Sequence, residues 1–207
     1  MIKIENVNVF GWESAIRGMR NPMNSWDKSD SCFNKRDSEA QFYPDVGEND
    51  LVLMKKLCKA GSDHRKFMRF ITVTADIVAP LYWWKEFDTY KVGTVCNSCS
   101  TMHKITSKEF TIDDFSHDHI LNVNCLAYII QCLNSWRVQY LETKDKLWWW
   151  QIIQTLPTSY NQRRTVQMNY EVLLNIYHAR KEHKLDCWRT FCEWIETLPY
   201  SELITEV

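Results

Sequence analysis

The sequence predicts a helix-rich α+β fold made of a single domain over residues 1–207. Five Gly and five Pro leave little material for a turn-rich all-β fold, so helices should dominate. Two stretches, residues 2–10 and 71–77, alternate apolar and polar side chains with the period of a strand. Ten Trp, nine Tyr and nine Phe can bury a large core, which suits one domain of this length.

The N-terminal segments follow this pattern in order. The strand 2–10 shifts its apolar set by one position at Asn6. A helix over Trp12–Met19 follows, and its basic side chains, such as Arg20, are expected on a solvated surface. Residues 21–49 are rich in Asn, Ser, Asp and Lys and are predicted as a long loop.

Helix starts and stops are marked in the middle of the chain. Asp50 is the predicted N-cap of a helix that ends at Gly61, and the helical pattern resumes over 62–70. After the second strand, Pro80 suits the first turn of a helix over 81–88.

Helices are predicted over most of the remaining chain. They run from Asp113 or Asp114 to about Leu141, from Trp148 to Pro157, over about 160–182 and over 185–197. The segment Thr89–Lys108 before them has one glycine, several small hydroxyl side chains and two cysteines, which is typical of a binding loop.

Charge and hydropathy restrict the partners. The net charge is −1, from 25 basic and 26 acidic residues, so no global field favours nucleic acid or a membrane surface. The first residues lack the apolar core of a signal peptide, and no stretch approaches the roughly 18 apolar residues of a membrane span. We therefore expect a cytoplasmic protein with no membrane partner and no direct nucleic-acid partner.

The eight cysteines lack the spacing of a disulfide framework, and most are expected to be small buried apolar side chains. Cys96 and Cys99 form a CxxC pair, which with His117 and His119 offers four zinc ligands. A thioredoxin-type redox pair would lie at a helix start rather than in a loop. Packing or surface roles are favoured over both, and metal binding by Cys96 and Cys99 stays open.

The segment Ser98–Lys104 places hydroxyl side chains beside an ammonium group. Hydroxyls and backbone amides in such a loop can surround a phosphate, with Lys104 as the counter-charge. The segment lacks the glycines of a P-loop, so it does not predict a nucleoside triphosphate site. An ordinary Ser/Thr-rich turn is the alternative.

The helix predicted near the C-terminus carries a stripe that is apolar in the middle and polar at both ends. On a period of 3.6 residues, its members are Asn169, Val172, Leu173, Ile176 and Arg180. A core-facing amide and guanidinium need partners, because an unpaired buried charge is costly. A phosphate or a flavin would supply them, and so would a buried Asp or Glu.

Three segments together resemble the flavin-dependent thymidylate synthases. Residues 63–67, Asp-His-Arg-Lys-Phe, are similar to the family's Glu-His-x-x-Phe. The stretch from Pro80 to Asn97–Ser100 is similar to the part that carries Arg-His-Arg and then Ser-x-Asn-Glu-x-Ser-x-Arg. The third segment begins at Leu156-Pro157, and the residues in it that fall on the family pattern without a gap are Asn169, Leu173, Asn175 and Arg180.

This chain departs from the family pattern in the middle segment. Counting from Pro80, Arg-His-Arg falls on residues 89–91, Thr-Tyr-Lys, so one cation remains. Matching Asn97 to the motif requires one inserted residue; Ser98 then replaces the acidic residue and Met102 the closing arginine. Lysine in place of arginine loses the bidentate guanidinium.

The resemblance implies an α+β fold with a small, mostly antiparallel sheet, a homotetramer, and methylation of dUMP or a related pyrimidine nucleotide to dTMP. FAD would carry hydride from NADPH, methylenetetrahydrofolate would donate the carbon, and no cysteine nucleophile would be needed. The implied flavin-binding residues are His64, Lys91, Asn169 and Asn175. The implied substrate-binding residues are Asn97, Ser98, Ser100 and Arg180.

Two other functions stay open at this point. A catalytically inactive homologue would keep the nucleotide pocket without the flavin, which the loss of cations at residues 89–91 favours. A zinc-stabilised interaction module would use the CxxC pair and the two histidines.

Overall fold

The computed structural model describes residues 2–33 and 44–207 and has the predicted helix-rich α+β architecture. The strands within these ranges form one antiparallel sheet in the order β1-β2-β4-β3. They are β1 Lys3–Phe10, β2 Thr72–Pro80, β3 Val95–Ser98 and β4 Asn161–Asn169. The α-helices are α1 Trp12–Arg20, α2 Glu48–Lys59, α3 Leu81–Phe87, α4 Val123–Thr143, α5 Lys146–Thr155, α6 Tyr170–Arg180, α7 Asp186–Glu196 and α8 Glu202–Thr205.

The sequence patterns of the first strand and of the Pro80 helix are confirmed. In β1 the shift of the apolar set coincides with a left-handed backbone at Asn6, whose φ is 53°. The Asn6 amide donates to the Asp76 carboxylate at 2.8 Å. Helix α3 begins directly after Pro80, whose fixed φ suits that position. Part of the predicted loop 21–49 lies outside the described residues.

The chain divides into two compact units. The hairpin unit contains Ile77–Thr89 and Asn97–Thr165, with Ile2 and Lys3. The mixed unit contains the described residues of Ile4–Asp76, together with Tyr90–Cys96 and Val166–Val207. The prediction of a single domain concerns how the whole chain folds and stays a prediction.

The hairpin unit is built on α4 and α5, which pack against each other. Its buried core consists of Ile105, Phe110, Phe115, Leu126, Leu133 and Ile152. Within the described ranges no helix, including the 21-residue α4, has the length and apolar character needed to cross a membrane.

The predicted start of the long helix at Asp113 or Asp114 is wrong. Asp114 instead belongs to a capping box with Thr111, which opens one turn of 3-10 helix. The chain then leaves helical geometry because the Ser116 N–H donates to the Ser159 carbonyl at 2.8 Å and Phe115 bridges to Tyr160. Tertiary pairing therefore delays the helix until α4.

In the mixed unit, α6 packs against α7 and α8. The prediction of a helix over about 160–182 is wrong in its first half, because residues 161–169 form β4. There Gln162, Val166 and Met168 are buried while the residues between them are more exposed, which is the two-residue period of a strand. Similarly, the predicted helix 62–70 is reduced to a 3-10 turn over Lys66–Arg69.

A buried ion pair joins α1 to α2 in the mixed unit. The Arg20 Nε donates to Asp50 Oδ1 at 2.6 Å, and the two residues are 4% and 0% exposed. Asp50 Oδ2 also accepts from the hydroxyls of Ser29 and Ser31, each at 2.6 Å. Two predictions are therefore wrong: Arg20 is not a surface cation, and Asp50 lies inside α2, where this network uses its carboxylate, rather than at the N-cap.

Burial alone would raise the pKa of Asp50. Hydrogen bonds from Ser29, Ser31 and Arg20, together with the Arg20 charge, outweigh it and hold the pKa below its ordinary value. A carboxyl with a depressed folded-state pKa stabilises the fold above its unfolded pKa of about 4. That stability is lost as the pH falls through the lowered folded value.

Replacing Asp50 by Asn is expected to lower the free energy of unfolding by about 3–5 kcal/mol at pH 7, because Arg20 is left buried without a counter-charge. The difference between wild type and variant should shrink below about pH 4, where the Asp50 carboxylate of the unfolded wild-type chain begins to be protonated, and should be lost as the pH falls through the lowered folded-state pKa. Urea unfolding at a series of pH values measures both effects. Glu13→Gln, which removes an exposed partner of Arg17, is the matched control and should change little; an equal loss in both variants would contradict the assignment.

Candidate functional site

A cavity of about 370 Å³ lies in the hairpin unit beside the segment Cys99–Phe110. Its polar and charged lining residues are Ser100, Thr101, Lys104, Ser107, Lys108, Asp113, Asp114, Asn161, Gln162 and Arg163. Phe110 and Tyr160 add aromatic surface, and their ring centroids are 6.2 Å apart. This size and mixture of surfaces are typical of a small-molecule site.

Side chains of α4 and α5 hold the segment that forms the cavity wall. The Trp149 indole N–H donates to the Met102 carbonyl at 3.2 Å, and the Arg137 Nε donates to the Thr106 carbonyl at 2.9 Å. The Asn134 amide pairs with both backbone groups of Phe110, at 2.8 and 2.9 Å. These bonds fix a segment that has little regular secondary structure of its own.

Ser100 has an oriented hydroxyl. Its Oγ accepts from the backbone N–H groups of Met102 at 3.2 Å and His103 at 3.0 Å. Because two N–H donors occupy the oxygen lone pairs, the remaining interaction of this hydroxyl is donation of its proton. A hydroxyl held in this way is suited to an anionic oxygen.

The two lysines of the cavity differ in their pairing. Lys104 is exposed and makes no ion pair with any described residue. Lys108 pairs with Asp114. The wall therefore offers the Ser100 hydroxyl and the Lys104 ammonium to an anion without breaking an existing salt bridge.

Asn161, Gln162 and Arg163 of β4 form another part of the lining. The Gln162 side chain donates to the Cys99 carbonyl at 2.8 Å and accepts from the Arg164 Nε at 2.9 Å. Asn161 Oδ1 is buried and has no hydrogen-bond partner among the described residues. Burial raises the pKa of the Tyr160 hydroxyl, which therefore stays protonated at neutral pH.

In the mixed unit, Arg180 is held by two aromatic rings. Its Nε donates to the Tyr90 hydroxyl at 2.9 Å, and its guanidinium carbon lies 4.8 Å from the ring centroid of Trp188 and 5.7 Å from that of Tyr90. Arg180 is half-buried. The partners predicted from the sequence for this guanidinium are a phosphate, a flavin, or a buried Asp or Glu, whereas these contacts come from two aromatic faces and a phenol.

Asn169 caps α6 instead of lying on its apolar face. Its Oδ1 accepts from the Val172 N–H at 3.0 Å. Its Nδ2 lies 2.8 Å from the position that a Cβ on Gly93 would occupy, and Gly93 has a φ of 78°. Any side chain at position 93 would therefore be strained and would collide with the cap.

The neighbouring Thr94 has a buried hydroxyl with no partner among the described residues.

The other implied site residues are solvent-exposed. His64, Lys91 and Asn175 are exposed in the mixed unit. Asn97 and Ser98 are exposed on β3 and are not among the residues that line the cavity. Of the substrate-binding residues implied for the hairpin unit, the structure brings Ser100 alone into that lining.

All eight cysteines lie within the described ranges. None of the eight forms a disulfide, and the described residues contain no group of three or more His, Cys, Asp or Glu that could hold a metal ion. Burial raises the pKa of Cys58 and of Cys192 to about 12. Buried thiols with such values stay neutral and unreactive.

Sequence reasoning missed three side chains that shape these sites. Lys108 lies four residues after Lys104 in the predicted binding loop, so its spacing was available as a signal. Tyr90 and Trp188 are distant from Arg180 in the sequence or separated from it by a turn, and no local pattern links them. Long-range packing brings them together.

No protein-family model matches this chain, and no curated protein sequence matches it. Solved structures do. Flavin-dependent thymidylate synthase from Helicobacter pylori, complexed with FAD and dUMP, superposes with a TM-score of 0.73 at 14% identity, over 98% of this chain and 99% of that one. A second structure of that enzyme with FAD and dUMP gives a TM-score of 0.72 at 13% identity, over 100% and 98% of the two chains.

A UMP/dUMP methylase from Streptomyces cacaoi, bound with 5-Br dUMP, is also similar. It superposes with a TM-score of 0.67 at 12% identity, over 100% of this chain and 94% of that one. Identities this low establish the architecture alone. The chain has the fold of the flavin-dependent thymidylate synthases.

Proposed function

We propose that this protein methylates dUMP, or a related pyrimidine nucleotide, to dTMP with FAD, NADPH and methylenetetrahydrofolate. The observation that carries the proposal is the full-length match of its fold to a flavin-dependent thymidylate synthase complexed with FAD and dUMP. The cavity of the hairpin unit supports it through independent chemistry.

That cavity suits a nucleoside monophosphate. The Ser100 hydroxyl and the Lys104 ammonium are donors for phosphate oxygens, and their placement on one segment favours a single anionic group. Phe110 and Tyr160 supply aromatic surface for a planar base. A volume of about 370 Å³ is within the range of small-molecule sites.

The residues implied for the flavin fit that cofactor by donor chemistry. Lys91 supplies a cation for the pyrophosphate, and the exposed His64 and Asn175 supply N–H donors. The buried hydroxyl of Thr94 has no partner among the described residues, as is typical of a group that a ligand satisfies. FAD, when bound, would supply hydride transfer, while these side chains bind and orient it.

In the reaction, the chain's own residues would act mainly by positioning. Ser100 and Lys104 would hold the phosphate, and Tyr160 would stay protonated beside the base and donate a hydrogen bond. The resemblance implies that no thiol nucleophile would be needed; Cys58 and Cys192, whose pKa burial raises to about 12, would stay neutral.

A second candidate is a homologue that binds the nucleotide without turning it over. Tyr90, the middle residue of the segment that aligns with Arg-His-Arg, accepts a hydrogen bond from Arg180. In this chain that position therefore serves an internal arginine, which favours a changed role for the segment.

The homotetramer implied by the resemblance remains part of the proposal. It is supported by exposed apolar side chains in and beside α4 and α5, namely Leu121, Val123, Tyr128, Val138, Leu141, Leu147 and Trp150. Light scattering measures the assembly directly.

Purified protein is expected to bind FAD and to show flavin absorbance in the visible spectrum that denaturation releases. The absorbance spectrum, recorded before and after FAD addition and gel filtration, is the measurement. A colourless protein whose melting temperature rises with dUMP would favour the second candidate. If neither FAD nor dUMP changes any signal, the proposed function is rejected.

Ser100→Ala is expected to weaken dUMP binding by roughly tenfold to 150-fold, because a charge-assisted hydrogen bond to phosphate is worth about 1.5–3 kcal/mol. Ser100→Thr keeps the hydroxyl and should retain most of the affinity. Isothermal titration calorimetry with dUMP compares them with Ser135→Ala, an exposed position on α4 outside the cavity lining. Wild-type affinity in the Ser100→Ala protein would remove this hydroxyl from the site.

The resemblance implies that Arg180 binds the substrate, so Arg180→Ala is expected to weaken dUMP binding by about 2 kcal/mol or more, through loss of a charged hydrogen bond. Arg180→Lys keeps the charge but not the fork, so it should recover part of the loss. Both variants are compared by calorimetry after circular dichroism has shown that they are folded. Unchanged dUMP affinity in folded Arg180→Ala would limit this arginine to packing against Tyr90 and Trp188.

A further inference from the structure

We propose that Asp114 is the resting counter-ion of Lys108, and that a phosphate monoester entering the cavity takes Lys108 from it. Asp114 would then set how tightly the cavity holds a phosphate dianion. The identity of the nucleotide rests on the proposed function, whereas the anion site rests on the cavity alone.

The ion pair joins a mobile partner to a fixed one. The Lys108 side chain is 67% exposed, and the Asp114 side chain is 12% exposed. Both residues line the cavity. A long, exposed ammonium side chain can turn to a new partner at little cost, because an exposed salt bridge contributes little stability.

Asp114 does not depend on Lys108 for its position. Its Oδ2 accepts from the Thr111 N–H at 2.9 Å and from the Thr111 hydroxyl at 3.2 Å, while Lys108 contacts Oδ1. The capping box therefore stays closed when Lys108 leaves. The local backbone at Thr111–Asp114 therefore keeps its structure when Lys108 changes partner.

A phosphate dianion attracts the Lys108 ammonium group more strongly than the Asp114 carboxylate does. It carries about twice the charge of a carboxylate, and in the same cavity it would also accept from Ser100 and Lys104. An uncharged nucleoside has no such group, so Lys108 would stay paired with Asp114. The arrangement thus selects for phosphate and makes the carboxylate a competitor of the ligand.

The test is isothermal titration calorimetry in phosphate-free buffer at low salt, with inorganic phosphate, dUMP and deoxyuridine as separate probes. Asp114→Asn keeps an oxygen to accept from Thr111 but removes the charge, so it should tighten phosphate and dUMP binding about threefold to tenfold. Lys108→Met should weaken both by a similar factor. In the variant that combines Asp114→Asn with Lys108→Met, the gain in phosphate affinity from Asp114→Asn should disappear, because Asp114 acts by holding Lys108 away from the ligand. Deoxyuridine affinity should stay constant throughout.

Lys85→Met, an exposed lysine on α3 that does not line the cavity, removes the same charge elsewhere in the hairpin unit and should leave phosphate binding unchanged. The inference is overturned if Asp114→Asn does not tighten phosphate binding, if it tightens binding equally with Met at position 108, or if wild-type protein binds neither phosphate nor dUMP. Lys108 is exposed, so its variant stays informative even if Asp114→Asn misfolds; phosphate affinity unchanged by Lys108→Met also overturns the inference.

The two proposals fail separately. Phosphate binding that follows this pattern without any dUMP binding supports the ion exchange and contradicts the nucleotide function. Tight dUMP binding that ignores both substitutions contradicts the ion exchange and leaves the nucleotide function standing.

Discussion

The need to satisfy backbone polar groups in an irregular segment is the constraint on which the candidate site depends. The wall between Cys99 and Phe110 has few regular backbone hydrogen bonds, so side chains from a helical hairpin make them instead. Asn134, Arg137 and Trp149 each bond to a backbone group of that segment. The cavity is thus only as well formed as the packing of α4 on α5, and its hydroxyls and ammonium groups inherit their placement from those helices.

Two arginine guanidinium groups lie on the faces of tryptophan rings. In the hairpin unit the Arg164 guanidinium lies 4.3 Å from the centroid of the Trp84 ring and pairs with Asp88 at 2.7 Å. In the mixed unit Arg180 has the equivalent arrangement with Trp188 and Tyr90. A planar cation on an aromatic face keeps its charge while losing little contact with the core. Trp84 and Trp188 therefore each hold an arginine charge as well as contributing to burial.

The sequence allowed the fold class, the first strand, α3 and α7 to be predicted, because each has a local cause. The period of two in residues 2–10 and the proline before α3 act within a few residues of the element they define. The late start of α4 and the strand β4 were missed because pairing with distant segments overrides the local helical pattern. Ser100 could be proposed as a site residue because the segment Ser98–Lys104 is visibly rich in hydroxyl side chains. The pairing of Asp50 with Arg20 could not be predicted, because it depends on burial that no local sequence pattern reveals.

The cap of α6 ties two distant parts of the mixed unit to one another. Asn169 keeps its place beside the bare Cα of Gly93, so the two positions are acceptable only as a pair. During divergence, a larger residue at 93 would first require a smaller one at 169, and among the smaller residues only those with a short polar side chain, such as Ser, would keep a side-chain cap on α6. Whether a substitution at Gly93 is acceptable therefore depends on which residue caps α6 at position 169, which is a case of epistasis.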